Sequence, residues 1–438
     1  MGAYEETLAY LYALEVRTGW DLRLERIRAV LGHLGHPERA WPALHVAGTN
    51  GKGSTAAMLE AVLRAAGWRT GLYTSPHLVD FTERIRIDGR TIPRETVVAL
   101  VAELRRDLEA LGVELTHFEF ATLLAFEWFR RVGIDVGVIE VGLGGRLDAT
   151  NVVEPIATAI TSIARDHEEY LGHDLASIAA EKAGIVKPGV PVVMGRLPPE
   201  AEAVVAGHAA RVGAPCEAAV PLEETPDGTL VFRRGGLVWD GLALGLPGRF
   251  QRDNAAVALT VLARVTQRFP CAPDAVRAGL AGVRWPGRLA VVAEAPRMVL
   301  DGAHNPEGAA TLARELRAVV GNRRVVLVFA VMADKAWRAI LEPLLERVAC
   351  AIVTRVGRRG LPTAALVDAF RARLPVEAVE DPRAAVERAR ALAGADGAVL
   401  VAGSLFLVGE AYAALAGGPR ALFEPWQPRE PGATGTRT

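Results

Sequence analysis

Short apolar, β-branched runs alternate along most of the chain with longer stretches of helical periodicity. Runs at 44–47, 70–74, 136–141, 157–161 and 190–194 have the length and composition of strands. Between them, apolar positions recur at helical spacing over 55–66, 94–111, 119–132 and 175–183. Near-continuous apolar strands separated by helices predict a parallel sheet with helices on both faces. The pattern changes over 217–244, where 229–232 and 237–239 flank residues 233–236 as a β-hairpin, and a helix at 254–268 follows. A second series opens after Trp285-Pro286-Gly287-Arg288. Its expected strands are 289–293, 298–300, 325–330, 350–354 and 398–401, with helices at 306–319, 335–348, 363–374 and 382–393. Two α/β domains are therefore expected, 1–284 and 285–416. From 417 to 438 the chain carries four prolines and no periodicity, so this tail is expected to be disordered.

Length fits this division, since 438 residues correspond to two or three domains. With 50 basic and 51 acidic side chains, the net charge of −1 gives no reason to expect nucleic acid or a membrane surface as partner. Cys216, Cys271 and Cys350 lie far apart with no CxxC pair, which excludes a disulfide framework and suits a reducing cytoplasm. The start, MGAYEETLAY, has no basic n-region. The longest apolar run, 398–408, is interrupted by Gly403 and Ser404 and reads as a buried strand entering a helix rather than a membrane span. A soluble cytoplasmic protein, acting as a monomer, is expected. One bias changes the picture: only four of the 50 basic residues are lysine, at 52, 182, 187 and 335.

Candidate chemistry begins after the first strand, at Gly48-Thr49-Asn50-Gly51-Lys52-Gly53-Ser54-Thr55. Glycines let backbone N–H groups turn onto phosphate oxygens, and a following helix adds positive potential. Lys52 would reach the β- and γ-phosphates and Ser54 would offer a hydroxyl to Mg²⁺. The spacing departs from GxxxxGK[ST], because Gly53 separates lysine from hydroxyl; taken alone, the segment is also compatible with a plain strand-to-helix turn. Glu140, one carboxylate at the end of an apolar strand, needs a cation or several donors. Either Mg²⁺ or a neighbouring arginine would serve. Leu300-Asp301-Gly302-Ala303-His304-Asn305-Pro306 opens a helix, a natural place for an anion.

The string GTNGKGST resembles the ATP loop of the Mur ligase superfamily, in its folylpolyglutamate synthase/dihydrofolate synthase branch, and the likeness extends from about residue 20 to 415. It implies a P-loop parallel-sheet ATPase domain followed by a smaller Rossmann-like α/β domain. It further implies that Asn50, Gly51, Lys52, Gly53, Ser54, Thr55, Asn254, Arg288 and Asp301 meet ATP. Ser54, Ser75, Glu140 and His167 would hold Mg²⁺, two ions being expected. Chemistry alone does not nominate His167, and Thr74-Ser75-Pro76-His77-Leu78 alone reads as a capping turn. Lys182, in Glu181-Lys182-Ala183-Gly184-Ile185, would be carbamylated, or else be a solvated helix lysine paired with Glu181. Arginine cannot form a carbamate because it stays protonated. Lys52, Lys182 and His304 are the catalytic candidates.

On the acid-substrate side, the resemblance implies a pterin pocket at Thr116, Phe118 and Glu119 and at Leu147, Asp148 and Ala149. Phe118 on a helix reads equally as core. The form Gly144-Gly145-Arg146-Leu147-Asp148-Ala149-Thr150-Asn151 is that of bacterial bifunctional enzymes, whereas 19–24, Gly-Trp-Asp-Leu-Arg-Leu, departs from the family's glycine-rich substrate loop. The implied function is an ATP-dependent amide ligase for pteroate or folate and L-glutamate. The alternatives are a monofunctional folylpolyglutamate synthase, a small-molecule kinase or a non-catalytic nucleotide-binding module. A peptidoglycan precursor ligase would need a UDP-sugar domain ahead of the loop, for which 47 residues are too few.

Overall fold

The computed structural model describes residues 2–18, 22–415, 422–425 and 427. Strands β1 (Ala43–Ala47), β2 (Thr70–Tyr73), β3 (Ile85–Ile87), β4 (Arg90–Thr91), β5 (Val136–Glu140), β6 (Pro155–Ile160), β7 (Val192–Met194) and β8 (Cys216–Ala218) form one sheet, in the order β4-β3-β2-β5-β1-β6-β7-β8. The six strands β2, β5, β1, β6, β7 and β8 are parallel, and β3 and β4 complete the edge antiparallel. Every residue of β1 and β5 is buried, as expected for apolar strands covered on both faces. Because β1 lies between β5 and β6, the loops leaving these three strands open at the same edge, where a parallel sheet leaves a ligand crevice.

The hairpin forms as β10 (Leu230–Arg234) and β11 (Leu237–Leu242), joined by a short β9 (Glu223–Glu224). Phe232 and Trp239 stack on its inner side, ring centroids 5.3 Å apart, in the same core as helix Lys52–Ala65. The second sheet comprises β12 (Ala290–Glu294), β13 (Arg297–Leu300), β14 (Val325–Phe329), β15 (Cys350–Val353), β16 (Val376–Ala378) and β17 (Ala398–Ala402). Their order is β12-β13-β17-β14-β15-β16, with only β12 antiparallel.

Several boundaries move for reasons that bear on the site. The helix expected at 55 starts at Lys52, which puts Lys52, Gly53 and Ser54 in its first turn. The helix expected at 335 runs only over Trp337–Leu345, because Lys335 lies in a turn in which its N–H bonds Met332 O at 3.2 Å and its carbonyl accepts from Trp337 N at 2.7 Å. The strand expected at 190 begins at Val192, since Val190 N bonds back to Lys187 O in a turn. Periodicity did not single out helices Ala3–Thr18 and Glu25–His33, which bury Leu11, Leu14, Ile27 and Leu31 in the core shared with helices Arg94–Leu111 and His117–Val132.

Part of the supposedly disordered tail is placed. Glu424 O accepts from Thr91 N at 2.8 Å, and Pro425 pairs with Thr91 beside β4. An edge strand leaves backbone groups unpaired, and this segment satisfies one of them. The remaining tail expectation, for 417–421, 426 and 428–438, lies outside the described residues, as does the 19–21 part of the unusual substrate loop. Among the described residues, no helix is long and apolar enough to cross a membrane.

Candidate active site

The crevice at the end of β1 is a cavity of about 880 Å³ walled by both sheets' loops. The chain turns out of β1 through Gly48 and Gly51, at φ 150° and 85°. A side chain at 51 would collide with Asn254, and a Cβ at 53 would sit 2.9 Å from the Trp285 ring. The extra glycine that breaks the usual loop spacing is thus required by Trp285. We expect Gly53→Ala to weaken nucleotide binding roughly 5- to 100-fold, the cost of overpacking a tight contact. Calorimetric titration with ADP measures this directly.

Lys52 Nζ donates to Gly48 O at 3.0 Å and to Thr49 O at 3.1 Å, so the loop curls around the ammonium. Burial lowers its pKa, opposed by the charges of Glu140 and Asp166. Glu140 is 4% exposed, and burial raises its pKa against the pull of Lys52. Its Oε2 accepts from Ser75 N at 3.2 Å, which brings two of the expected metal positions together. Ser54 is buried in the helix's first turn and borders the same cavity. His167 is held at φ 51°, a left-handed conformation uncommon for non-glycine residues, with histidine among the more frequent exceptions. Burial holds its pKa down at about 4 despite Asp166, so the ring is neutral near pH 7, with its Nε2 accepting from Lys335 Nζ at 3.2 Å. Among the described residues, no three His, Cys, Asp or Glu side chains cluster as a protein-only metal cage. One carboxylate with hydroxyls fits a Mg²⁺ ion that draws its other ligands from phosphate and water.

Lys182 lies in the last turn of helix Leu175–Ala183 and is 4% exposed. Burial, with Lys52 adding to it, pushes its pKa down to about 7. It does not pair with Glu181, which is bound by Arg146 at 2.8 Å instead. Among the described residues the amine has neither a hydrogen bond nor an ion pair, and it faces the cavity.

The second sheet closes the cavity. Asn50 and Asn305 exchange amide hydrogen bonds of 3.2 and 2.9 Å across the crevice. Arg288 borders the nucleotide end beside Gly302. Asp301 also borders it, but its oxygens already accept from Leu289 N at 2.7 Å and Ala303 N at 2.8 Å, which pins the turn that carries Arg288. Asn254, below Gly51, donates to Gln251 Oε1 at 2.8 Å. His304 Nδ1 bonds Gly302 O at 2.8 Å, leaving Nε2 3.6 Å from Asp166 Oδ2.

At the other end of the cavity, Phe118 lies over Gly142, where a side chain would collide with its ring, and 6.1 Å from the Tyr73 centroid. Thr116 and Glu119 form a reciprocal cap on helix His117–Val132, and Arg26 binds Glu119 at 3.0 Å. Leu147 and Ala149 line the wall beside Asp148, whose carboxylate accepts from Leu143 N at 2.8 Å and Thr150 N at 3.0 Å.

Comparison with known proteins decides the family. A model described as the Mur ligase middle domain matches residues 46–262, and one described as the Mur ligase glutamate ligase domain matches 287–405. The "Dihydrofolate synthase/folylpolyglutamate synthase" of Bacillus subtilis is 35% identical over 93% of this chain and 98% of its own length. The solved structure of Escherichia coli FolC with DHPP and ADP superposes with a TM-score of 0.86 at 34% identity, covering 94% of this chain and 98% of that one. A bifunctional folylpolyglutamate synthase/dihydrofolate synthase solved with Mn, AMPPNP and L-glutamate gives a TM-score of 0.84 at 36% identity, with 94% and 98% coverage. The chain belongs to the folylpolyglutamate synthase/dihydrofolate synthase family of Mur ligases.

In this ligase, sequence reasoning missed the group at which the two sheets meet. Asp166 Oδ1 lies 2.6 Å from Lys335 Nζ, and Oδ2 accepts from Asn305 Nδ2 at 3.1 Å. Burial raises the Asp166 pKa, but His304, His167 and Lys335 together hold the carboxyl well below its usual range. The lysine bias pointed to position 335, yet no local pattern could announce a partner 169 residues away. Arg84 was also missed. It is 8% exposed, lines the acid-substrate end, and its Nε donates to His77 Nδ1 at 2.8 Å, with no carboxylate paired to it among the described residues. Lys187 is structural. Its Nζ donates to Asn151 at 2.7 Å, and Asn151 in turn ties Arg146 O to Gly184 O.

Proposed function

We propose that this ligase adds L-glutamate to dihydropteroate and to the γ-carboxyl of a (tetrahydro)folate through an acyl phosphate. The observation that carries the reading is a single cavity with a phosphate loop at one end, an aromatic pocket with a buried arginine at the other, and Asp166, His304 and Lys335 between them. A carboxylate oxygen of the acid attacks the γ-phosphorus, the bond to ADP breaks, and ADP leaves with the electron pair. The glutamate amine then attacks the acyl carbon, loses a proton, and inorganic phosphate departs.

Lys52 balances charge on the phosphates during the first transfer, with Asn50 and Ser54–Thr55 at the helix start behind it. Asn254 meets adenine and Arg288 meets phosphate, with Asp301 holding Arg288 in place. Ser54, Ser75, Glu140 and His167 would hold Mg²⁺, which when bound would neutralise charge developing on the phosphoryl oxygens. Lys182 as a carbamate sets an anion opposite that charge. His304 stands at a helix start on the incoming amino acid's side. The Phe118 face and the Leu147 and Ala149 walls receive the flat ring of the acid, while Thr116, Glu119 and Asp148, hydrogen-bonded within the protein, fix the shape of the pocket.

ADP release by the purified protein is expected only when ATP, a pteroate- or folate-type acid and L-glutamate are present together. Equal release without glutamate would overturn the reading in favour of a kinase or an ATPase. Offering dihydropteroate and tetrahydrofolate separately, with the products analysed by mass, is expected to yield a glutamylated product from each.

A further inference from the structure

Behind the phosphate loop lies a small chamber of about 40 Å³ that shares Gly53, Glu140 and Arg288 with the substrate cavity and adds Arg86, Trp285 and Phe423. Arg86 is its centre. It is 4% exposed, its Nε has no hydrogen-bond partner, and among the described residues it makes no ion pair. The guanidinium is instead sandwiched between two rings, 4.5 Å from the Trp285 centroid on one side and 4.0 Å from Phe423 on the other. A cation stripped of water gains more from an aromatic face than an exposed one does.

The three groups come from distant parts of the chain. Arg86 sits on β3, Trp285 immediately precedes the turn that presents Arg288, and Phe423 belongs to the segment pinned to Thr91 by Glu424 and Pro425. The other face of the stack matters for nucleotide: the Trp285 ring lies on Gly53 so closely that a methyl group at 53 would meet it at 2.9 Å. The stack Phe423–Arg86–Trp285 therefore ends on the backbone that would wrap the phosphates.

We propose that Arg86 and Phe423 are positioning residues for ATP, holding Trp285 against the phosphate loop so that the loop's backbone and Arg288 are set before nucleotide arrives. Loss of Phe423 leaves one face of the guanidinium open and frees Trp285 to withdraw from Gly53. Nucleotide then binds a loop that must be ordered during binding, which lowers affinity. Because Arg86, Trp285 and Phe423 do not line the cavity that takes acid and amino acid and their stack ends on Gly53, the defect is expected first in nucleotide binding.

The inference rests on the cavity being a nucleotide site, and the test separates the two. ADP affinity is measured by calorimetry on the full chain and on Phe423→Ala, Phe423→Trp and Arg86→Lys, with melting temperatures recorded for each. Phe423→Ala and Arg86→Lys are expected to weaken ADP binding about 5- to 10-fold and to raise KM for ATP equally, with Phe423→Trp restoring both. KM for L-glutamate stays within about twofold, the charge and shape of that end being untouched. A lowered melting temperature with unchanged ADP affinity in both weakened variants overturns the proposal and leaves the ligase reading standing. Absence of ADP binding by the unaltered protein overturns both. Should Phe423→Ala fail to fold, Arg86→Lys is judged by the same criteria.

Discussion

Replacing Lys182 by methionine or arginine is expected to lower kcat by roughly 10- to 100-fold while ADP binding survives, the loss typical when a group supporting a metal site is removed. The amine is buried, lacks a partner among the described residues, and titrates near pH 7 because burial and Lys52 both oppose its charge. That combination makes it nucleophilic where an ordinary lysine is not. In the proposed carbamate the neutral amine would attack CO₂, forming a C–N bond and losing a proton from nitrogen, so that an anion would replace a would-be cation. The pH dependence has a definite sign. Below about 7 the folded protein's amine is protonated and cannot react, so at fixed dissolved CO₂ the rate falls as pH drops through that value and levels off above it. Arginine and methionine variants lose this limb of the profile. Lys182→Ala should regain activity with added acetate, a carboxylate of matching charge. Isotopically labelled bicarbonate should give a carbamate carbon resonance in the wild type alone. Full activity in Lys182→Met, or in CO₂-depleted buffer, would sink the assignment.

The parallel core and its loops were legible because their signals are local. A strand buried on both faces must be apolar throughout, so β1, β5 and β14 announce themselves, and helices such as Arg94–Leu111 and Pro382–Ala393 carry their amphipathic period to the residue. Glu140 was legible by contrast, one carboxylate in an apolar run. Three kinds of feature were not. Strands β3, β4 and β9, only two or three residues long, are too short to impose a period, and the edge strands β4 and β9 bury little as well. Lys335 sits in a turn whose geometry, not its sequence neighbours, turns the amine towards Asp166. Phe423 lies in a proline-rich tail and acquires meaning only from the desolvated Arg86 it covers. Positions nominated by resemblance also fall into two groups. Glu140 and Lys182 face the cavity with chemistry to offer, whereas Asp148 and Asp301 border it with backbone N–H groups already bound to their oxygens.

Asp166→Ala is expected to damage both stability and turnover, because this carboxylate is the charge on which the two sheets converge. Its side chain is 8% exposed and that of Lys335 is 10% exposed, and removing one partner of such a pair leaves the other buried and uncompensated. The characteristic cost is about 3–5 kcal/mol, an upper figure here because the Lys335 amine keeps a little access to water. His304 and Asn305 lose a shared partner at the same time, so His304 is no longer fixed while the Asn50–Asn305 amide pair still joins the second sheet to the phosphate loop. Turnover should fall by about 100-fold from the resulting misplacement. Asp166→Asn, which keeps the acceptor oxygen but not the charge, should fall between. The double substitution Asp166→Ala with Lys335→Met is the sharper experiment. Removing both charges restores most of the lost stability, since a buried ion pair is often no better than an apolar pair of similar volume. The rate should not return, because the orientation of His304 still depends on the missing carboxylate. If stability and kcat recover together, Asp166 acts only through folding; if neither changes in Asp166→Ala, the meeting of the two sheets does not depend on it.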